Sequence, residues 1–217
     1  MGRRREHDEN TAAALLDAAE RVVAVGGVDA VSVRVLADQV GTTTRAIYST
    51  FGSKDGLIAA LGARTFDLLA AAVDALPVTD DPAADLVEAG VSGFRCFVMD
   101  HLALFRLGIQ QTGTTDTQRA QIRTAATRAF TVLQSRVARL NPHGQLDPRA
   151  IYEAATAFHA LCEGLAAVET RGSLPAQAAE QLWRNALTAL VNGLTPSPPP
   201  NEHGADSDHE AAITGSP

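Results

Sequence analysis

Residues 31–51, VSVRVLADQVGTTTRAIYSTF, read as two short helices joined by a tight turn. Ser32 is a good N-cap for the first, because its hydroxyl accepts from the free N–H groups of an opening turn. Val33, Leu36, Ala37 and Val40 then recur at helical spacing on one side. Gly41 follows directly and tolerates the left-handed backbone that ends a helix. Thr42 or Thr43 caps the second helix, whose apolar side carries Ile47 and Phe51. Helices that cross near a right angle across a short turn need a small residue at the crossing. Ala37 stands there, and Ile47 fills the space between the two helices. The second helix is left with Thr44, Arg45, Tyr48 and Ser49 facing outward. Side chains of this kind hydrogen-bond to base edges in a major groove. A solvated helical hairpin with no nucleic-acid partner would show the same pattern.

The flanks extend the reading on both sides. Residues 14–27, ALLDAAERVVAVGG, form a helix ahead of the motif, with Leu15, Leu16, Ala19, Val22 and Val23 in one stripe and Gly26-Gly27 as its stop. Residues 46–61, AIYSTFGSKDGLIAAL, run through a turn into a fourth helix capped by Ser53, with Lys54 in its first turn. From residue 11 to residue 69 the chain resembles the N-terminal domain of the TetR family of bacterial transcriptional regulators. The resemblance rests on the first helix, the helix pair, and the Tyr-x-x-Phe, turn, Ser-Lys-acid, Leu series that opens the fourth. It implies an all-α fold of about nine helices, a three-helix helix-turn-helix domain followed by a larger helical effector and dimerisation domain. It also implies that Lys54 meets a backbone phosphate, where the helix N-terminus itself favours an anion. Where the family often carries histidine this chain has Thr50, so a phosphate contact there is shorter or absent.

The DNA-facing candidates follow. Arg34, Thr44, Arg45 and Tyr48 are candidates for bases, and Ser32, Thr42, Thr43, Ser49, Thr50 and Lys54 for phosphates. A net charge of −7 looks wrong for such a partner until it is located. The last 23 residues carry four acids and no base, whereas Ser32 to Lys54 carry Arg34, Arg45 and Lys54 against Asp38. Screening confines such a field to about 8–10 Å, so a local positive face on an acidic protein is enough. Few counterions are then released per site, which predicts weak non-specific binding.

The chain divides into a polar arm at 1–10, the DNA-binding domain at 11–55, the helical domain at 56–194 and a Pro-, Gly- and acid-rich tail at 195–217 that reads as disordered. Arg3, Arg4 and Arg5 fit a frayed terminus, or an arm that reaches the DNA. The fourth helix runs to Leu76 and stops at Pro77, a lever about 35 Å long. Asp81-Pro82 is a helix-start signal, with helical patterning on to Gln110 and a break near His101. A further helix begins at Asp116 or Thr117, and its Arg128, Arg136 and Arg139 read as a solvated outer face. The last two helices, at 148–171 and 175–194, carry surplus apolar surface. In the family such helices pair across a two-fold axis, and the resemblance implies a homodimer here.

The second domain is similar to a TetR subgroup with a Trp-x-x-x-His-Gly sequence on the penultimate helix. In residues 159–172, HALCEGLAAVETRG, His159 and Glu163 replace the Trp and His, while Gly164, Glu169 and Gly172 remain; LALFRLGIQ at 102–110 is also similar. Tyr152, His159 and Glu163 share one side of that helix, and His159 and Glu163 are one turn apart. The plainer reading is a satisfied polar cluster at a dimer interface. The other is a site where these groups orient a mostly apolar small molecule among Phe94, Phe97, Phe105, Phe130 and Phe158, with Met99 and Cys162 as further lining.

Apolar residues make up 46% of the 217 and mean hydropathy is near zero, an ordinary soluble composition. Charges such as Asp85, Glu88, Arg95 and Asp100 interrupt the apolar runs, so no membrane span is expected. The basic N-terminus lacks the apolar run of a secretory signal, and the expected location is the cytoplasm. Cys96 and Cys162 lie in apolar helical patterns and read as reduced core thiols. No cofactor or metal is expected. None of the six histidines stands in a metal or nucleophile constellation, and G-x-S-x-G, H-E-x-x-H and phosphate-loop motifs are missing, which argues against an enzyme. The alternative to a repressor released from a palindromic operator is a helical interaction module without DNA binding.

Overall fold

The computed structural model describes residues 2–110, 115–141 and 147–194, and every regular element among them is helical. α1 (Gly2–Gly26) leads through a 3-10 turn at Val28–Ala30 into α2 (Val33–Val40), α3 (Thr44–Phe51) and the long α4 (Lys54–Asp74). α5 (Pro82–Glu88), a π-helical stretch (Ala89–Arg95) and α6 (Cys96–Asp100) run on continuously. α7 (Leu102–Gln110), α8 (Asp116–Ala138), α9 (Pro148–Thr170) and α10 (Ala176–Leu194) complete nine helical rods among the described residues. The tail at 195–217 lies outside them, as does most of the turn after Asn141.

The short helices are set by local chemistry. Ser32 caps α2 by accepting from Val35 N, and Gly41 ends it with φ 71° and ψ 33°. Thr43, rather than Thr42, caps α3, accepting from Ala46 N at 3.1 Å. Ser53 caps α4, accepting from Gly56 N at 2.9 Å. A Cβ at position 56 would lie 1.9 Å from the Phe51 carbonyl oxygen, so glycine lets the first turn of α4 close onto the end of α3. Asp81 and Asp147 cap α5 and α9, each followed by proline. Thr115 opens α8 in a reciprocal capping box with Gln118.

Two apolar cores result. In the first, Leu15, Ala19, Leu36, Ala37, Ile47 and Leu57 are joined by Leu104 and Leu107 from α7. In the second, Val73, Leu86, Phe94, Phe158, Trp183 and Leu187 are central. Burying an aliphatic or aromatic side chain of this size contributes about 1.5–3 kcal/mol each. α4 passes from one core to the other and α7 bridges them: the buried Thr65 hydroxyl donates to Leu104 O at 3.0 Å, and His101 Nδ1 lies 2.6 Å from Glu20 Oε1 on α1. Ala59 and Ala63 of α4 meet Ile122 and Ala125 of α8, small residues that bring the two helices close.

Several expectations need correction. Residues 2–10, read as an arm, have helical backbone continuous with α1. α4 stops at Asp74, two residues before the expected end. Its length and composition do meet those of a membrane-crossing helix, contrary to expectation, but half of that window is buried inside the protein, as in the core helix of a globular fold. Cys96 is exposed, and only Cys162 is a core thiol.

The arginines of α8 do not form a solvated face. Arg136 is buried and donates to Val73 O at 2.6 Å, Leu76 O at 2.8 Å and Pro77 O at 3.3 Å. It thereby satisfies carbonyls that the end of α4 leaves open, where the helix dipole favours a cation. Arg139 pairs with buried Asp85 and donates to Thr79 O. Arg128 pairs with Asp67 of α4 at 2.7 Å. All three tie α8 to α4 or to the chain that leaves it. Two of the charges that interrupt the next apolar run are paired as well. Glu88 meets Arg184, and Arg95 meets Glu169, whose Oε2 also accepts from Trp183 Nε1 at 2.8 Å.

Candidate nucleic-acid interface and effector cavity

Ile47 is the buried anchor of α3, and the remaining candidate side chains around it face solvent. Thr44, Arg45, Tyr48, Ser49 and Thr50 are exposed, with Tyr48 half accessible. Ser32, Arg34 and Thr43 are exposed beside them, while Thr42 and Lys54 are half-buried. Arg34, Arg45 and Lys54 have no carboxylate partner among the described residues, so their positive charge is available to a polyanion.

The hydroxyls divide into two kinds. Ser32 and Thr43 spend their oxygens as cap acceptors and keep their protons. Ser49 and Thr50 both donate to Ala46 O, at 3.1 and 2.9 Å. A phosphate oxygen needs a donor, so the first pair suits it without rearrangement and the second does not.

Behind α4 lies a cavity of about 690 Å³, framed by α4, the π-helical stretch, α8 and α9. The size and mostly apolar lining suit a small molecule. Seven of the ten side chains read as ligand candidates line it: Phe94, Phe130, Tyr152, Phe158, His159, Cys162 and Glu163. The other three do not. Phe105 sits behind Phe94 in an edge-on contact at 5.6 Å, Phe97 is buried against His101 with ring centroids 5.2 Å apart, and Met99 lines a separate cleft between α1 and the α6–α7 break. Phe97 and Met99 lie on the same helical run as Phe94 but on other sides of it, and Phe105 lies beyond the break at His101.

His159 and Glu163 meet as their spacing predicts, Nε2 to Oε1 at 3.1 Å. The His159 hydrogen bond lowers the Glu163 pKa against an opposing effect of burial. The His159 ring stands edge-on to Phe94 at 5.8 Å and Phe130 at 6.4 Å, and Tyr152 is edge-on to Phe130 at 5.5 Å. Burial pushes the Cys162 thiol well above its ordinary pKa, so it packs as a neutral apolar group.

Sequence reasoning missed part of the wall. Phe66 and Leu69 of α4 line the cavity, as do Arg123, Thr127, Leu133 and Gln134 of α8. Leu133 lies on the apolar stripe of α8, but Arg123, Thr127 and Gln134 lie off it, and their spacing alone does not mark them as lining. Among the described residues no group of three His, Cys, Asp or Glu is placed to hold a metal.

The family model described as bacterial regulatory proteins, tetR family, matches residues 15–61. The one described as tetracyclin repressor-like, C-terminal domain, matches residues 87–190. No curated protein matches the sequence at a significant level. Solved structures are similar over most of their length. A protein of unknown function from Rhodococcus sp. RHA1 is 21% identical with a TM-score of 0.73, over 86% of this chain and 95% of that one. The TetR family transcriptional regulator PfmR from Thermus thermophilus is 20% identical with a TM-score of 0.58, over 82% and 97%. A TetR variant from Acinetobacter baumannii AYE, in complex with minocycline, is 20% identical with a TM-score of 0.58, over 84% and 97%. At these identities the structures share the fold. The first family model covers the helix pair and its supports, and the second covers most of the helices around the cavity. The chain therefore belongs to the TetR family of bacterial transcriptional regulators, non-enzymatic proteins that bind DNA.

Proposed function

We propose that the protein is a homodimeric repressor that leaves a near-palindromic operator when a small, largely apolar molecule fills the cavity. Residues 11–55 read the DNA in the cytoplasm, and residues 56–194 hold the effector and the dimer contact. The observation that carries this reading is α4. It begins at Lys54, against the end of α3, and its second half, from Phe66 to Val73, is a wall of the cavity. A molecule wedged against that wall bears on the element that positions the exposed Arg45 and Tyr48.

Two recognition helices then sit about 34–36 Å apart, one turn of DNA. The effector acts only through a difference in its affinity for the DNA-competent and released spacings. The test is binding of the purified protein to the DNA flanking its own coding region, over a salt series, followed by random-site selection. Tight, sequence-selective binding that weakens with salt supports the reading. Binding that stays non-specific on every DNA at low salt refutes it and leaves the helical interaction module.

A further inference from the structure

Besides Tyr152 and the neutral Cys162 thiol, the cavity wall carries three ionisable groups, Arg123, His159 and Glu163, that differ in how they are partnered. Glu163 already has a hydrogen-bonded partner in His159, at 3.1 Å. Arg123 lines the same cavity from an exposed position on α8; it feels the charge of Asp116, but its guanidinium has no salt-bridge or hydrogen-bond partner among the described residues. It is an exception on its helix. Arg119 pairs with Asp116, Arg128 with Asp67 and Arg139 with Asp85, and Arg136 is spent on three carbonyls. The charged side chain at the cavity that no hydrogen bond engages is thus Arg123, and it stands at one end of the α8 wall. From Arg123 to Gln134 the α8 wall runs eleven residues, about 16 Å. Phe66, Leu69, Phe130 and Leu133 face the space along it.

Resting on the reading of this cavity as an effector site, we infer that the effector is an amphiphilic carboxylate. Its acid group lies on Arg123 and its apolar body along Phe130 and Leu133. A guanidinium takes a carboxylate through two parallel hydrogen bonds. An amine would have to displace His159 from Glu163 to find its charge.

The experiment uses the full-length protein and three probes with one chain length and different heads: dodecanoate, dodecanol and dodecylamine, each below its micelle-forming concentration. Affinity is read by calorimetry. Dodecanoate is expected to bind at least about tenfold tighter than the other two, the scale of one charge-assisted pair. Arg123→Ala is expected to remove that preference, weakening dodecanoate to the level of dodecanol. Arg123 is exposed, so the variant keeps the fold. A preference for dodecanoate that survives in Arg123→Ala overturns the assignment of the carboxylate, and so does equal binding of acid and alcohol. Tightest binding of dodecylamine overturns the class in favour of a cation at Glu163, and binding of none of the three overturns it outright. The effector-site reading is separated by Ala126→Trp, which fills the cavity from α8 and whose folding circular dichroism confirms. If the probes bind that variant as well as they bind the parent, the cavity is not where they go.

Discussion

Arg45 is the side chain on which sequence reading of DNA rests most heavily. It stands exposed in the first turn of α3, with Ile47 locked into the core two residues on. A bidentate arginine–guanine contact discriminates by about 1–3 kcal/mol. Arg45→Ala is therefore expected to weaken operator binding by that amount and to relax preference at one position per half-site, measured by anisotropy on single-base variants of the selected operator. Thr50→Ala is expected to change affinity by less than about 0.5 kcal/mol, the usual range for a surface change that breaks no special feature, because that hydroxyl is spent on Ala46 O. Asp85 makes a prediction in pH. Hydrogen bonds from Arg139 and from the Thr79 backbone and side chain lower its pKa from 3.8 to about 2. A folded-state pKa below the unfolded one adds stability that is full above the unfolded value and lost as pH falls toward the folded one. In urea melts, Asp85→Asn should therefore be less stable than the parent at neutral pH. The gap should close as pH drops from about 4 toward 2, and a gap constant over that range would contradict the assignment.

Among the elements, α4 and α8 act as a coupled pair. Arg136 joins them where α4 ends, with its guanidinium on three carbonyl oxygens. Arg136→Met keeps much of the volume but leaves those acceptors buried and unpaired. Losing a charged hydrogen-bond donor of this kind costs about 3 kcal/mol, to be read as a lower urea midpoint with unchanged slope. Wild-type stability in this variant would mean that water or another side chain replaces the guanidinium. The caps at Ser32, Thr43, Ser53 and Asp81 were legible in the sequence because each depends on residues within four positions of itself. Arg136 and Arg139 were not. Their spacing on α8 does not reveal that α4 ends opposite them, and arginine's long stem lets it lie buried while its head stays bonded. The π-helical stretch gave no signal either. It holds Gly90 where a Cβ would come within 2.4 Å of Leu187 Cδ1 and 3.0 Å of Phe158 Cζ, so the glycine answers to α9 and α10. The cavity was legible by half. Helical spacing brought together Tyr152, His159 and Glu163, but which phenylalanines faced them depended on how α4, the π-helical stretch and α8 pack around α9.

For the whole molecule, the test is what covers the outer sides of α9 and α10. Ala157, Ala160 and Gly164 on α9, and Ala189 and Gly193 on α10, are exposed, with Leu182 40% accessible. Half-buried Leu161, Leu165, Val168 and Leu190 lie among them. Small residues flanked by aliphatic ones let two helix pairs approach closely, and the proposed homodimer puts a second copy on this face. Gly164 separates the fold from the assembly. A Cβ there meets nothing within 4 Å in the monomer, so a larger side chain is accommodated. Glycine is also among the poorest residues for a helix interior, so replacing it stabilises α9 by up to about 1 kcal/mol. Gly164→Arg is therefore expected to fold normally by circular dichroism and to run as a monomer in light scattering, where the parent runs as a dimer. Its operator affinity should fall by at least about a hundredfold, since a monomer engages one half-site and loses the gain of linked binding. A dimeric Gly164→Arg protein with parental DNA affinity would move the interface off these helices. An unfolded one would contradict the open space beside Gly164, so each result bears on a different claim.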